Sequence, residues 1–457
     1  WNEEQTDAVL LGAEGAERAY GVIDRAGHKR SWHFPSRAEC LRCHNPWAGP
    51  VLGFETAQLN KPHAYSGHVV GQLDALYHLG VCEPLVAPDK RPRLADPRNR
   101  SADLTNRARA YLHVNCAHCH RANAGSSVAS QMAYDLPLDQ TAMIGRRPTQ
   151  GSFGIHAAEV IAPGDPFRSV LLYRMSKFGS GRMPYIGSQL VDADGIAMIQ
   201  QWIKELPAKQ GNAPTPAVQH LQAEESRHLE QLRATTNADH TIILVADQLL
   251  STTSGALRVT RALDERLLSS ETATLILNQA AVHKDPQVRD LFERFLPEEK
   301  RVKRLGNVLR PQDILKLPGN PERGKRIFAD TAGVQCKNCH RIGNIGREVG
   351  PDLMGIGKKQ TPAQLLESIL DPSKTIDPKY VTYVVETKDG RVHTGLLVKK
   401  DADGVVLKDA QDQLIPIPAA QVEGITRQNR SLMPELLLRD LTAQQVADLI
   451  AYLGSLR

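Results

Sequence analysis

The sequence contains no apolar run that approaches the roughly 20 residues of a membrane-spanning helix. Its longest apolar stretches, residues 242–246 and 436–438, are far too short, so we expect no span within the chain. The first residue is Trp1, without a starting Met or a signal peptide. We therefore expect a processed product or a piece of a longer chain.

The chain also lacks a strong charge of either sign. It has 56 Lys and Arg against 51 Asp and Glu among 457 residues, and the two signs are interspersed. No basic block resembles a nucleic-acid-binding arm, so nucleic acid is not a predicted partner. The length is sufficient for three or four domains rather than one compact core.

Cysteine is scarce, but its distribution is informative. Six of the seven cysteines form three pairs with two residues between the members, and Cys82 stands alone. A disulfide framework is typical of short secreted chains and does not fit this pattern. We expect Cys82 to be a buried free thiol.

Each cysteine pair is followed directly by His. The three motifs are Cys40-Leu-Arg-Cys43-His44, Cys116-Ala-His-Cys119-His120 and Cys336-Lys-Asn-Cys339-His340. Two thiols on one turn can form thioethers with the two vinyl groups of a porphyrin, and the adjacent imidazole is then directed at the iron. Structural zinc needs two neighbouring knuckles, and a thioredoxin-like pair needs a βαβ context, so both are disfavoured. The motifs predict three covalently bound heme c groups.

Two methionines are candidates for the distal iron ligand, because a thioether is a soft donor that suits heme iron. Met183 and Met433 each lie downstream of a motif and directly before a proline. An amphipathic helix follows each proline and closes the module. Met354 is a rival of Met433, but it lies in a glycine-rich turn. The carbonyl of Pro351 is predicted to orient His340.

The distal ligand of the first heme stays open at this point. No Met precedes Met132, so Met ligation from this part of the chain is excluded. Three histidines downstream of the motif are candidates: His63, His68 and His78. His33 and His113 are weaker candidates, and a five-coordinate iron is a further alternative.

The patterns predict a mainly α chain with four parts. Residues 1–97 form an N-terminal heme segment, and residues 98–210 a class I cytochrome c-like module. Residues 211–310 form a helical spacer, and residues 311–457 a second such module. A small antiparallel β insertion at about 379–426 is indicated by β-branched runs and by turn signals at 389–390 and 403–404.

Beyond these motifs, two parts of the chain resemble known families. Residues 320–457, with GKRIF, CKNCH, GPDLMGIG, ESILDPSK, SLMPELL and DLIAYL, resemble the Planctomycetes/Verrucomicrobia-type heme-binding domain. Residues 1 to about 206, with FPSRAECLRCH, LGFETAQLN, NCAHCHR, APGDP and RMP, resemble a diheme c-type cytochrome family of the same bacteria. The resemblance implies electron transfer in the periplasm or at the cell surface. It also implies a dehydrogenase partner, often a sugar dehydrogenase-like β-propeller.

These expectations lead to three functional hypotheses. The first is a triheme electron-transfer protein that accepts electrons from a dehydrogenase and passes them to a respiratory acceptor protein. The second is a peroxidase-type enzyme that uses an open first heme. The third is a structural or assembly subunit of a larger redox complex.

Overall fold

The computed structural model describes residues 1–2, 4–13, 15–23, 29–45, 48–49, 51–83, 86–121, 128–207, 213–234, 240–306, 311–331, 333–334, 336–388 and 392–457. Within these ranges no helix combines the length and the apolar character needed to cross a membrane.

The expectation of a mainly α chain with two class I cytochrome c-like modules is wrong. About 42% of the residues are helical and 14% lie in strands, and the C-terminal region contains a five-stranded antiparallel sheet. The fold is therefore mixed α and β. Helical periodicity around the motifs gave too much weight to helices, and the strand pattern was recognised only in the inserted segment.

The N-terminal segment combines short helices with two hairpins that the sequence patterns did not predict. The hairpins pair β1 with β2 and β3 with β4, both antiparallel. The elements are β1 (Ala16–Ile23), β2 (Lys29–Phe34), α1 (Arg37–Cys43), α2 (Thr56–Leu59), β3 (Pro62–Tyr65), β4 (His68–Gly71) and α3 (Gln72–His78). The first motif therefore begins inside α1, directly after a hairpin.

In the middle of the chain the described residues form eight α-helices. They are α4 (Leu104–Cys116), α5 (Val170–Met175), α6 (Ala193–Glu205), α7 (Pro216–Ala234), α8 (His240–Leu250), α9 (Thr253–Asp264), α10 (Ser270–Ala281) and α11 (Pro286–Phe292). One hydrophobic core joins Leu112 of α4 and Trp202 of α6 to Leu257 of α9 and Phe292 of α11. The helices after residue 211 thus share a core with the segment that carries the second motif.

Within the part of the C-terminal segment that the structure describes there are five α-helices, α12 (Pro311–Leu315), α13 (Pro321–Asp330), α14 (Ile356–Lys359), α15 (Pro362–Leu370) and α16 (Ala443–Ser455). Helix α16 begins at a capping box, in which the Thr442 hydroxyl accepts a hydrogen bond from the Gln445 N–H. Gly324 lets α13 approach α16 closely, because a Cβ at this position would lie 2.0 Å from the Asp448 carbonyl oxygen. This packing holds α13, near the start of the C-terminal segment, against α16, the last helix of the segment.

The inserted sheet lies between α15 and α16. Its strands are β5 (Val381–Thr387), β6 (Val392–Asp401), β7 (Gly404–Lys408), β8 (Leu414–Pro418) and β9 (Val422–Ser431). Their order is β8-β7-β6-β5-β9, with every pair antiparallel. Val385 and Leu407 are fully buried in its small core. The turn predicted at 389–390 lies outside the described residues, and the turn predicted at 403–404 joins β6 to β7.

Candidate functional site

All three Cys-x-x-Cys-His motifs adopt the same turn. In each, the N–H of the final His donates to the carbonyl of the first Cys, over 2.9 Å at His44, 2.9 Å at His120 and 2.8 Å at His340. The first motif closes α1, the second begins at the last residue of α4, and the third forms a short 3₁₀ turn at Cys336–Asn338. The local sequence thus places two thiols and one imidazole on a single turn at three separate places.

The three turns open onto one cavity of about 1480 Å³. Ligand pockets for single small molecules commonly measure about 300–1,000 Å³, so this cavity has room for more than one. The donor groups predicted from the sequence that lie on its wall are Cys43, His44, Cys116, Cys119, His120, Met183, Cys336, Cys339, His340 and Met433, and His118, Met132 and Met175 also line it. Cys40 is the one motif cysteine that is exposed and does not line the cavity.

Backbone carbonyls orient the imidazoles of the second and third motifs. Nδ1 of His120 lies 3.3 Å from the Ser130 carbonyl oxygen, and Nδ1 of His340 lies 2.9 Å from that of Pro351, as predicted. These contacts assign the ring proton to Nδ1 and leave Nε2 as the free donor atom. Burial lowers the pKa of His120 to about 4 and also lowers that of His340. Both rings are therefore neutral at pH 7, which is the form that binds a metal.

The thiols of the first two motifs meet inside the cavity. The Sγ atoms of Cys43 and Cys119 and a ring nitrogen of His118 all lie within 4.8 Å of one another. The contact between the two sulfurs lowers the pKa of Cys43 and raises that of Cys119. Burial raises the pKa of Cys116 and of Cys336 to about 12. Thiolate and imidazole are also donors that Zn²⁺ accepts, so this cluster is a candidate metal site as well.

The two candidate methionine ligands lie on the cavity wall, whereas their rival does not. Met183 follows α5, and its N–H donates to the Arg174 carbonyl over 2.9 Å. The N–H of Met433, just after β9, donates to the Ser431 hydroxyl over 3.1 Å. Met354 is 49% exposed and does not line the cavity. The structure therefore favours Met433 over Met354.

The histidines predicted as distal ligands of the first heme lie away from the cavity. His63, His68 and His78 are exposed on β3, β4 and α3, and none of them contributes to the cavity wall.

The two weaker candidates, His33 and His113, each contact a glutamate. His33 contacts Glu39 over 2.7 Å. His113 contacts Glu55 over 2.8 Å with Nε2, and its Nδ1 accepts the N–H of Tyr134 over 3.1 Å. Cys82 is half-buried and also lies off the cavity.

A junction between distant segments fixes the first motif, and the sequence patterns gave no sign of it. Glu39 of α1 is fully buried and pairs with Arg439 over 2.7 Å. The Arg42 guanidinium donates to the Glu435 carbonyl and stacks on the Tyr185 ring at 5.2 Å. The Tyr185 hydroxyl in turn donates to the Leu436 carbonyl over 2.5 Å. The two segments that carry Met183 and Met433 therefore touch each other beside the first motif.

The cavity wall carries more positive than negative side chains. The cationic residues on it are Arg42, Arg146, Arg147, Arg174, Lys374 and Arg430, and the acidic residues are Glu367, Asp371, Asp377 and Glu435. Arg174 also has a guanidinium whose pKa is lowered to about 10 by burial, so it remains charged at pH 7. The site therefore suits a ligand that combines a large apolar body with carboxylates.

Comparison with known proteins adds no relative to this description. No protein-family model matches the chain, and a search of curated proteins found no match.

Proposed function

We propose that this chain is an electron-transfer protein that carries three covalently bound heme c groups. The observation that carries the proposal is the convergence of three identical Cys-x-x-Cys-His turns on one large cavity. Heme c supplies an iron that cycles between Fe(II) and Fe(III). The chain would contribute the attachment points, the axial ligands and the exclusion of water.

The residues on the cavity wall fit this cofactor. The second and third motifs offer both thiols on the wall for the two vinyl groups of a heme, and the first offers Cys43 there, with Cys40 on the exposed side of the same turn. His44, His120 and His340 are the proximal ligands that the motif spacing implies. Met183 and Met433 are the proposed distal ligands of the second and third irons, since both line the cavity. The cationic side chains on the wall would pair with the heme propionates. The donor set thus contains the thiols, imidazoles and thioethers that bind heme c.

The proximity of the motifs favours a relay over three isolated centres. Cys43 and Cys119 have their sulfurs within 4.8 Å, so the porphyrins attached to them would be neighbours. Cys40 and Leu41 are exposed, with Leu41 at 45%. Cys40 is the exposed member of the six motif cysteines, so a donor dehydrogenase or an acceptor protein would dock at the first motif. The same proposal includes a location in the periplasm or at the cell surface, which the resemblance to the bacterial c-type cytochrome families implies.

A count of covalent hemes tests the proposal. The chain is produced with c-type heme maturation, denatured, and measured by mass spectrometry and by its reduced pyridine hemochrome spectrum. The expected result is the peptide mass plus three hemes. Replacing both cysteines of one motif with Ser should remove one heme, whereas the matched control Cys82→Ser should keep all three. A colourless chain at its bare peptide mass would overturn the proposal.

A second candidate function rests on the cluster of Cys43, His118 and Cys119. These side chains supply three soft or borderline donors within 4.8 Å, and a structural zinc site needs four. Under this alternative the first two motifs hold a metal ion and no porphyrin. Metal analysis of the same purified protein separates the two: stoichiometric zinc with one heme or none favours the alternative, and three hemes without zinc favour the relay.

A further inference from the structure

His118 lies at the contact between the first and second motifs, although its sequence position gives it no obvious role. It occupies a spacer position of Cys116-Ala-His-Cys119, and its side chain lines the cavity. Among the described histidines on the cavity wall, the other three are the final residues of the motifs. His118 is thus the one imidazole on this wall that the proposed function has not used.

The backbone around His118 is tied to the first motif. The side-chain amide of Asn45, directly after that motif, donates to the His118 carbonyl over 3.2 Å and to the Arg42 carbonyl over 2.9 Å. The Cys119 thiol contacts the Arg42 carbonyl at 3.4 Å. These contacts fix the second motif's turn against the end of α1. The position of His118 beside Cys43 is therefore determined by several bonds rather than by one side chain.

The imidazole of His118 is directed at the sulfur that would carry the first porphyrin. One of its ring nitrogens lies within 4.8 Å of the Cys43 sulfur. Heme attachment converts the thiol into a thioether, which has no proton to share. The imidazole would then lie next to the porphyrin bound to Cys43, with a nitrogen lone pair free for a metal.

We propose that His118 is the distal ligand of the first heme iron, opposite His44. The proposal rests on the proposed function and completes the ligand set of all three irons. His44 is fixed at the end of α1 by its N–H bond to the Cys40 carbonyl, so it takes the proximal face. His118, whose ring nitrogen lies beside the Cys43 sulfur, would come from a different chain segment, the second motif.

Two imidazoles on the first iron would make that heme different from the other two. A bis-His iron has a lower potential than a His/Met iron, since the thioether favours the reduced state. The exposed first heme would then be the low-potential entry point, and electrons would flow inward to the His/Met hemes. The second motif would act twice, holding its own heme and completing the neighbouring one.

Low-temperature EPR and near-infrared magnetic circular dichroism of the oxidised holoprotein test this assignment. The expected wild-type spectrum contains one bis-His and two His/Met low-spin hemes. In His118→Gly the bis-His signal should disappear and one high-spin heme should appear, and added imidazole should restore the low-spin signal. His118→Met should convert the bis-His signal into a third His/Met signal. The matched controls His63→Ala, His68→Ala and His78→Ala should keep the wild-type spectrum.

The outcomes separate this inference from the function on which it rests. Mass spectrometry of each variant confirms three hemes, so a failure of attachment to the second motif is detected independently. A bis-His signal that persists in a three-heme His118→Gly protein overturns the inference, as does its loss in a control variant. A wild-type protein with three hemes and no bis-His signal also overturns it while the relay survives. A wild-type protein without heme overturns the proposed function itself.

Discussion

Glu39 and Arg439 are separated by 400 positions in the chain, yet they form an ion pair of 2.7 Å in which both side chains are buried. The same carboxylate contacts His33 over 2.7 Å and accepts the Ser36 N–H over 2.8 Å. Glu39 lies one position before Cys40 and serves as the N3 residue of the α1 capping box. This pair therefore links the first motif directly to the segment that carries Met433.

Removal of the guanidinium should destabilise the protein strongly. In Arg439→Ala the Glu39 carboxylate stays buried without its charged partner, and breaking one side of a buried pair costs about 3–5 kcal/mol. The free energy of unfolding in guanidinium chloride measures the loss. The matched control is Lys316→Ala, whose pair with Asp313 has side chains that are 74% and 62% exposed, where we expect less than about 1 kcal/mol. Equal losses in the two variants would contradict a special role for the junction.

The same pair predicts a dependence of stability on pH. Burial raises the pKa of Glu39, but the contacts with His33, the Ser36 N–H and Arg439 outweigh burial and the pKa lies below its usual value. A carboxyl group whose pKa is lower in the folded state adds stability at pH values above its unfolded-state pKa of about 4.3. This stability is lost as the pH falls through the folded-state pKa. The gap in unfolding free energy between wild type and Arg439→Ala should therefore narrow below about pH 4. A gap that stays constant from pH 7 to pH 3 would refute this account.

Gly350 is predicted to position the imidazole of the third motif. An added Cβ would lie 2.6 Å from Cε1 of His340 and 2.9 Å from Nδ1, which is closer than real Cβ atoms approach. In Gly350→Ala the ring must move away from the Pro351 carbonyl, and we expect a loss of about 1–3 kcal/mol from overpacking. In a spectroelectrochemical titration of the holoprotein the midpoint potential of one heme should shift, because the bond from His340 to its iron is perturbed.

The control for this substitution is Gly454→Ala, in the same segment, where an added Cβ meets no atom within 4 Å. It should leave both the unfolding free energy and the midpoint potentials close to those of the wild type. Unchanged midpoint potentials in Gly350→Ala would show that the ring tolerates the methyl group, and the positioning role would then be abandoned.

Met433 and Met354 give a direct test of the third distal ligand. In Met433→Ala we expect the sulfur-to-iron charge-transfer absorption to fall by about half, because one of two His/Met hemes loses its thioether. Met433→His should keep that heme low-spin and lower its potential, within the roughly 0.8 V that axial ligands span. Met354→Ala should match the wild type, since this exposed residue lies off the cavity. The reverse pattern would assign the ligand to Met354.

Much of the local structure could be predicted from the sequence. The three motif turns, the α16 capping box at Thr442, and the Pro351 contact with His340 all depend on residues close together in the chain or on a short rigid turn. The inserted strands were indicated by β-branched runs with period two. These features depend on hydrogen bonds and side-chain periodicity over a few residues, so short sequence patterns are enough to predict them.

The surroundings of the first motif could not be predicted in the same way. His63, His68 and His78 are near it in sequence, but the β3–β4 hairpin and α3 hold them on the exterior. His118 is more than 70 positions from His44 and lies beside Cys43 because two turns pack together. Similarly, the weight of β structure was missed because β3 and β4 have only four residues each and because charged residues interrupt the apolar residues of β1 and β2.

The sequence by itself determined that this chain has three places where two thiols and an imidazole share one turn, since that arrangement needs only five consecutive residues. The tertiary structure alone decided that the three turns face a common cavity, that Cys43 meets Cys119, and that Glu39 pairs with Arg439. The physical reason is that such contacts depend on how distant segments bury apolar and charged surface against one another, which no short-range pattern specifies.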